Sequence, residues 1–352
     1  MAEPEPQRTR FRLSAWLPCF LILALSLLLG YHTRSEPFSV INWVVSNLGS
    51  PSRFIPLLLI ATNWKGLPFG WSVRVISALV SHLFVNKFHG HGPEKLFRHV
   101  VSQSHVQLLE VDYNFHKSNA TFFSDLDVSR THMLHLFSPA IHSLWNNGTT
   151  RLVMDPSTPG QPARGGVKIV VGAVQTSFKR ELKAYGTYEM WTRVLSWDRK
   201  WLYLVTYFVV KGAENLPRPG SDGSGLAASS TQVFPEKRDD IVLATSITKL
   251  VFKIGRLTVH PAVVLDASGL LPPRPGGWTS GGDDPETLLA KPAARDAERT
   301  TDEETEALWD WRRTERERRR GLEHAQHLAA LDDLLQTFSG EKEDVLGRFW
   351  LG

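Results

Sequence analysis

The amino-acid sequence predicts an α+β domain in which an antiparallel sheet wraps around one long helix. The first observation behind this prediction is the order of the segments, because one strand-like stretch precedes a long helical stretch and four strand-like stretches follow it. The second is the SWDRKW junction, which is short enough for a tight hairpin between two aromatic-rich strands. We assign residues 96–267 to this domain.

Each element is predicted from its local residue pattern. The segment HVQLLEVDY, residues 105–113, is typical of a strand. A helix is predicted over residues 120–145, with Pro139 kinking it or ending its first part. Much of its apolar face comes from Phe122, Leu126, Met133, Leu134 and Phe137. The later strands are predicted over residues 167–178, 187–197, 200–212 and 240–254.

Low-complexity segments divide the rest of the chain. Residues 214–232 are rich in Pro, Gly and Ser, and they predict a flexible loop between two paired strands. Residues 268–300 predict a disordered linker rich in Pro, Gly and Asp. The tail, residues 301–352, is charged and helical in character. Its segment WDWRRTERERRRG predicts a solvated helix or, alternatively, a helix that binds a partner or a membrane surface.

The N-terminal part of the chain predicts a single-pass membrane protein. Residues 14–31 carry no charge, and eighteen helical residues extend roughly 27 Å, close to the ~30 Å hydrocarbon core of a bilayer. We assign residues 1–36 to a tail and membrane anchor, with a cleaved signal peptide as the alternative. Residues 37–95 form an apolar membrane-proximal segment. Within it, FGWSVRVISALVSHLFVNKF predicts a helix that lies at the membrane interface or covers the following domain.

The composition argues against several classes of protein. A formal net charge of +4 is mild for 352 residues and gives no reason to expect a nucleic-acid partner. The single cysteine, Cys19, excludes an intramolecular disulfide and a cysteine-based zinc site. The sequence has no P-loop, G-x-S-x-G elbow, H-E-x-x-H motif or dinucleotide fingerprint, so we predict no cofactor.

The polar stretch EVDYNFHKSNATFFSDLDVSR, residues 110–130, lies between two apolar segments and is the candidate active site. Its candidate residues are Asp112, His116 and Asn119. Each also has a structural interpretation. Asp112 can be a turn residue, His116 a hydrogen-bonded structural histidine and Asn119 a helix cap.

Two further acids follow on the predicted helix. Asp125 and Asp127 are two positions apart, so they point to different faces. We expect each to be exposed or salt-bridged, and Arg130 is a plausible partner for Asp127.

The spacing Asp112-x-x-x-His116-x-x-Asn119-Ala120, at the start of a helix, resembles the signature of hot-dog thioesterases. The branch it resembles is the 4-hydroxybenzoyl-CoA thioesterase-like one, with the common form D-x-D-x-x-G-H-V-N-N-A-x-Y. It is similar in particular to the membrane-anchored thioesterase-like proteins of fungi. The run YEMWTRVLSWDRKWLYLVTYFV resembles the paired third and fourth strands of that group. The resemblance implies a hot-dog fold and a homodimer with active sites at its interface.

The chain departs from the family pattern at three positions. Glu110 replaces the first Asp, Phe115 replaces the Gly before His116, and Ser118 replaces the first Asn. Phe115 removes a flexible position beside the expected thioester carbonyl, which bears on activity or on substrate size.

The resemblance implies a hydrolase that cleaves the thioester of acyl-CoA or of an acyl-carrier protein. Asp112 is the expected base or nucleophile. His116 orients that carboxylate or donates to the thioester, and Asn119 caps the helix or positions water. Backbone N–H groups at the start of the helix are the expected oxyanion donors. The alternative is a non-catalytic protein of the same fold that binds an acyl chain or lipid, which the departures at Phe115 and Ser118 favour.

Overall fold

A computed structural model describes residues 51–86, 91–213, 241–279 and 309–328 of the chain. In these residues an antiparallel sheet has the order β1-β3-β4-β5-β2, and a short β6 pairs with β5. The strands are β1 (Val100–His105), β2 (Val167–Phe178), β3 (Thr187–Trp197), β4 (Leu202–Val210), β5 (Val242–Ile254) and β6 (Leu257–Val259).

The helices of the described ranges pack on both faces of this sheet. The consecutive helices α3 and α4 fill one face, where Phe122, Leu126 and Phe137 belong to the buried core. The helix α2 packs on α3 and continues as a π-helical turn, Ser81–Val85. The helices are α1 (Pro51–Thr62), α2 (Gly70–Val80), α3 (Asn119–His132), α4 (Leu134–Trp145), α5 (Asn147–Thr150), α6 (Pro261–Ala267) and α7 (Trp311–Ala325).

The four later strands of the prediction are confirmed. β2 and β3 coincide with the predicted residues 167–178 and 187–197, and β4 and β5 lie within the predicted ranges. The predicted hairpin between β3 and β4 is also confirmed. It closes at Asp198, whose carboxylate accepts hydrogen bonds from the N–H groups of Lys200 and Trp201 at 2.7 and 2.6 Å.

The strand predicted at residues 105–113 is wrong, because β1 ends at His105. The next residues form a 3-10 turn, Leu108–Glu110, in which the side chains of Gln107 and Glu110 cap the backbone reciprocally. The apolar pattern of HVQLLEV therefore does not mark a strand, since Leu108 and Leu109 are 44% and 63% exposed in this turn. Its two polar residues set the turn geometry.

The helix predicted over residues 120–145 is present as two helices. The break between them falls at Met133 and not at Pro139, which lies inside α4. Proline lacks an N–H, so α4 loses a backbone hydrogen bond there. The helix nevertheless continues, because its residues on both sides of Pro139, among them Phe137 and Ile141, are buried in the core.

The predictions for the chain segments outside the central domain have mixed outcomes. The predicted anchor, residues 14–31, and the predicted loop, residues 214–232, lie outside the described residues. In the described part of the chain, no helix has the length and apolar character needed to cross a bilayer. The linker predicted at 268–300 is wrong for residues 268–279, since Leu270 and Trp278 are buried in the main core.

The charged tail contains a helix that packs on the second face of the sheet. The prediction of a solvated helix is therefore wrong for α7. Leu322 and Ala325 of α7 share a buried cluster with Leu195, Tyr203 and Val205 of β3 and β4. Two charged residues of the helix, Glu315 and Arg318, are buried as well.

Polar contacts and a close approach at a glycine also hold α7 against the sheet. The buried guanidinium of Arg318 binds the Glu315 carboxylate at 2.9 and 3.0 Å and the Trp197 carbonyl at 3.0 Å. Ser196 Oγ donates to the Arg318 carbonyl at 2.6 Å. At Gly321 the helix touches β3, because a Cβ atom there would lie 2.0 Å from the carbonyl oxygen of Leu195.

A buried carboxylate on α3 joins several parts of the chain. Asp125 is fully buried and accepts contacts from Lys65 Nζ at 3.3 Å, Arg74 Nη2 at 2.7 Å and Lys117 Nζ at 3.0 Å. The hydroxyl of Tyr188 also donates to it. Burial alone would raise the pKa of Asp125, but the three cations hold it well below its usual range. The prediction that Asp125 is either exposed or salt-bridged is confirmed by these salt bridges.

A second acid forms ion pairs with two of these three cations. Glu110 contacts Lys65 at 2.8 Å and Lys117 at 3.3 Å. Burial lowers the pKa of Lys65 although both acids oppose that shift. These contacts hold three parts of the chain against α3: the segment of α1 and α2, the residues that follow β1, and the strand β3. They therefore also position the loop that enters α3.

We predict that Asp125→Asn lowers the free energy of unfolding by about 3–5 kcal/mol, because it leaves three buried cations short of one negative charge. Urea denaturation of the purified protein measures this loss. The control is Glu317→Gln on α7, whose side chain pairs with the exposed Arg320, and the expected loss there is below about 1 kcal/mol. Equal losses for the two variants would contradict the prediction.

We also predict that Gly321→Ala displaces α7 from the sheet, because the new methyl group overlaps the Leu195 carbonyl oxygen. Limited trypsin digestion with mass spectrometry should then show faster cleavage within residues 311–325, and thermal denaturation should show a lower melting temperature. Gly148→Ala is the control, since nothing lies within 4 Å of a Cβ atom at that position. Unchanged cleavage in Gly321→Ala would show that the contact is not needed for docking.

Candidate active site

The loop that enters α3 forms a tight turn at the predicted site. The Asp112 N–H donates to the His116 carbonyl at 2.9 Å, and the Phe115 N–H donates to the Asp112 carbonyl at 3.0 Å. Phe115 has a φ of 63°, in the left-handed region that favours glycine. Phe115 thus occupies the conformation that explains the glycine of the family pattern, and its ring is 81% exposed.

Asp112 is half-buried, and its carboxylate takes part in the turn. The Oδ1 atom accepts a hydrogen bond from the Asn114 N–H at 2.9 Å. This is the Asx-turn arrangement that the structural interpretation of Asp112 predicts.

His116 and Asn119 lie in the same loop, but their side chains serve different places. His116 Nε2 lies 2.9 Å from a carboxylate oxygen of Glu181. The backbone of His116 forms an isolated antiparallel β-bridge with Lys183. Asn119 is the first residue of α3 and is exposed. The N-cap position is Ser118, so the prediction that Asn119 caps the helix is wrong.

The start of α3 is open to an acceptor from outside the helix. Ser118 makes no side-chain capping bond to the first N–H groups. These groups carry the positive end of the helix dipole. The Thr121 N–H already donates to the Ser118 carbonyl at 3.0 Å, so an oxyanion that forms near Asn119 would meet the N–H groups of Asn119 and Ala120.

An apolar cavity of about 380 Å³ lies at the other end of the helix pair. Its wall is formed by α2, α3, α4, β2 and β5, and includes Val75, Leu83, Phe137, Ile169 and Phe252. The predicted site residues do not line it. The loop that carries Asp112 and the cavity are therefore separate features of one chain.

One wall of the cavity carries polar groups. Asp127 pairs with Arg130, which confirms the predicted partnership, and accepts a hydrogen bond from Trp71 Nε1 at 3.1 Å. Arg130 also donates to Thr248 Oγ1 at 3.0 Å. Burial lowers the pKa of Arg130, while the Asp127 carboxylate opposes that shift. The polar wall is thus internally hydrogen-bonded, and Asp127 is the carboxylate that lines the cavity.

The edge strand β2 connects the two features. Its Phe178 end lies by the site loop, because the Phe178 ring contacts Phe122 of α3 at 5.1 Å and the Lys117 N–H donates to the Leu182 carbonyl at 2.7 Å. Its Val167 end lines the cavity. The loop and the cavity therefore lie at opposite ends of one strand.

Sequence reasoning missed the cavity and the residues that support the loop. The cavity walls come from segments far apart in the chain, so no local pattern reveals them. One feature of the sequence could have indicated that Lys65 and Arg74 support the loop. They are the only Lys or Arg residues between positions 55 and 85, a stretch that is otherwise uncharged. Isolated cations in an apolar stretch point to buried acidic partners.

Comparison with known proteins shows the family. Residues 106–234 match the model of the thioesterase-like superfamily. Thioesterase poxG of Penicillium oxalicum is 33% identical over 312 residues, which cover 85% of this chain and 91% of that protein. The probable thioesterase atnL of Emericella nidulans is 31% identical over 320 residues, which cover 89% of this chain and 94% of that protein.

The solved structures give a more distant likeness. The YbaW probable thioesterase from Escherichia coli is 12% identical with a TM-score of 0.30, covering 49% of this chain and 98% of that one. This overlap supports no argument about function. The two fungal relatives do, because they are more than 30% identical over most of the chain. The chain therefore belongs to the thioesterase-like superfamily, with the hot-dog fold, and is an acyl-thioester hydrolase.

Proposed function

We propose that the protein hydrolyses thioesters that join an apolar acyl group to coenzyme A or to an acyl-carrier protein. The observation that carries this substrate class is the cavity, whose lining is apolar apart from Asp127, Arg130 and Thr131. Its volume of about 380 Å³ is in the usual range for small-molecule sites. An acyl chain fits such a lining because each buried CH₂ group contributes roughly 0.8 kcal/mol.

Asp112 supplies the carboxylate of the proposed reaction, as general base or as nucleophile. As a base it takes a proton from water while the water oxygen adds to the thioester carbonyl. The N–H groups at the start of α3 stabilise the resulting oxyanion. Collapse of the tetrahedral intermediate breaks the C–S bond, and the departing thiolate takes up a proton. In this scheme His116 donates to the thioester and Asn119 positions the water, since the His116 ring pairs with Glu181 and not with Asp112.

A homodimer would unite the loop and the cavity, and we propose that this is the active form. β2 is twelve residues long, and its outer edge has no strand partner in the described part of the chain. An exposed edge of this kind favours pairing with a second chain. If two copies pair antiparallel through β2, the Phe178 end of one copy meets the Val167 end of the other. Asp112 of the partner subunit then lies by the cavity.

We further propose that the chain is of the 4-hydroxybenzoyl-CoA thioesterase-like branch and is membrane-anchored. The motif from Asp112 to Ala120 supports the branch, and the uncharged residues 14–31 support a single-pass anchor.

The second candidate is a non-catalytic protein that binds an acyl chain or lipid. Two observations favour it. The Asp112 carboxylate already accepts a hydrogen bond within its own turn, and Phe115 is the residue in the position that the family fills with glycine. Lipid that co-purifies with the protein and is never turned over would support this candidate.

We predict that Asp112→Asn lowers kcat for acyl-CoA hydrolysis by roughly 10²–10⁴-fold, the usual range for loss of a general base. Release of free thiol from a panel of acyl-CoA substrates measures the rate. Asp155→Asn is the matched control, because Asp155 Oδ1 accepts a turn hydrogen bond from the Ser157 N–H at 2.8 Å, as Asp112 does from Asn114.

This control distinguishes a structural role of the Asp112 carboxylate in its turn from a role in the reaction. Similar rates in Asp112→Asn and Asp155→Asn would remove Asp112 from the reaction. Loss of activity in Asp127→Asn, with Asp112→Asn still active, would assign the carboxylate to the cavity wall instead.

We predict that Val75→Phe shortens the acyl chain that the enzyme accepts, because Val75 lines the cavity. For the longest substrates kcat/KM should fall by about 10–200-fold, while short acyl chains change little. The control is Ile76→Phe on the same helix, where the side chain is 56% exposed and lies outside the cavity. The same length profile in both variants would contradict the assignment of the cavity to the acyl chain.

A further inference from the structure

Helices α1 and α2 expose an unusually large apolar surface. We call it the apolar face and define it as the exposed apolar side chains of residues 55–85. The exposed fraction is 58% for Ile55, 77% for Phe69, 56% for Ile76 and 67% for Phe84. Four consecutive residues of α1, 57–60, are also 40–50% exposed. Surfaces of this kind on a monomer mark an interaction site.

The apolar face carries no charge. Lys65 and Arg74 are the only Lys or Arg residues between positions 55 and 85, where there is also no Asp or Glu. Both cations turn inward and bind Asp125. His82 is half-buried with its Nε2 atom 2.8 Å from His132 Nδ1. Burial, together with His132 and His135, lowers the pKa of His82 to about 4, so it is neutral at pH 7.

The helix α2 is apolar on two sides, and each side has a different environment. Val75 lines the cavity, and so does Leu83 in the π-helical turn that follows α2, whereas Ile76 is exposed and lies outside the cavity lining. Trp71 and Leu79 of α2 line the cavity and are also 45% and 38% exposed, so the apolar face reaches the edge of the cavity. A helix that only covered the domain would need just one apolar side.

We propose that the apolar face binds the surface of a lipid bilayer, with the side chains of α1 and α2 in the boundary between headgroups and acyl chains. Such helices bury their apolar side about 5–10 Å into that boundary. A lipid surface fits better than a protein partner, because protein interfaces have a polar rim and this face has no charged side chain within residues 55–85.

The order of the segments along the chain also supports a lipid bilayer as the binding partner of the apolar face. The uncharged run at residues 14–31 precedes α1, with residues 32–50 between them. A chain that enters the domain from an apolar segment of this length brings α1 and α2 close to lipid. The proposal concerns binding alone, so its test is independent of the thioesterase activity.

Fluorescence quenching in the full-length protein tests the proposal. Cys19→Ser removes the native thiol, and Ile76→Cys or Phe84→Cys provides one site for an environment-sensitive NBD label. The control is Glu323→Cys, an exposed position on α7 across the sheet from α2. Each protein is reconstituted into phosphatidylcholine vesicles that contain brominated lipid, and aqueous iodide is titrated separately.

We expect brominated lipid to quench the labels at positions 76 and 84 at least threefold more than the label at position 323, and iodide to show the opposite order. Equal access of iodide to all three labels would overturn the proposal, because the face would then lie in water. Protection of positions 76 and 84 from both quenchers would also overturn it. That result would mean that protein covers the face, either a second copy or residues 14–31.

Discussion

The arrangement of this protein depends on the burial of one carboxylate. A charge in the interior is stable only when opposite charges and hydrogen bonds replace its water. Asp125 meets that requirement with three cations drawn from separate segments, Lys65, Arg74 and Lys117. The apolar N-terminal helices cannot leave α3 without exposing or unpairing these groups. The loop that carries Asp112 is held by the same network through Glu110 and Lys117.

The sheet was predictable because its strands carry long, aromatic-rich and β-branched runs that only strands accommodate well. β2 and β3 were therefore located to the residue. The failure at residues 105–113 has a local cause, since Gln107 and Glu110 satisfy each other and favour a turn over an extended ladder. The failure at α7 has a tertiary cause. The high charge of this helix suggested that it is exposed to solvent. Gly321, Leu322 and Ala325 nevertheless form a narrow strip that contacts the sheet, and Arg318 is buried with Glu315.

The candidate site was predictable only as a loop. The motif brought Asp112, His116 and Asn119 into one turn before α3, but the side chains of Asp112 and His116 bind different partners, Asn114 and Glu181. The cavity could not be predicted, because its walls combine α2, α4, β2 and β5. The loop lies at one end of β2 and the cavity at the other. The proposed two-fold pairing accounts for that division.

The docking of α7 has a consequence for how the protein is made. In the described part of the chain the last strand ends at Val259, whereas α7 begins at Trp311, so the ribosome completes these strands well before it supplies the helix. During that interval the nascent chain presents Leu195, Tyr203 and Val205 without their cover. Chaperones that shield apolar surface during translation have a defined target there. A recombinant fragment that stops before the C-terminal segment would keep that surface bare, and its poor solubility would say nothing about the enzyme itself.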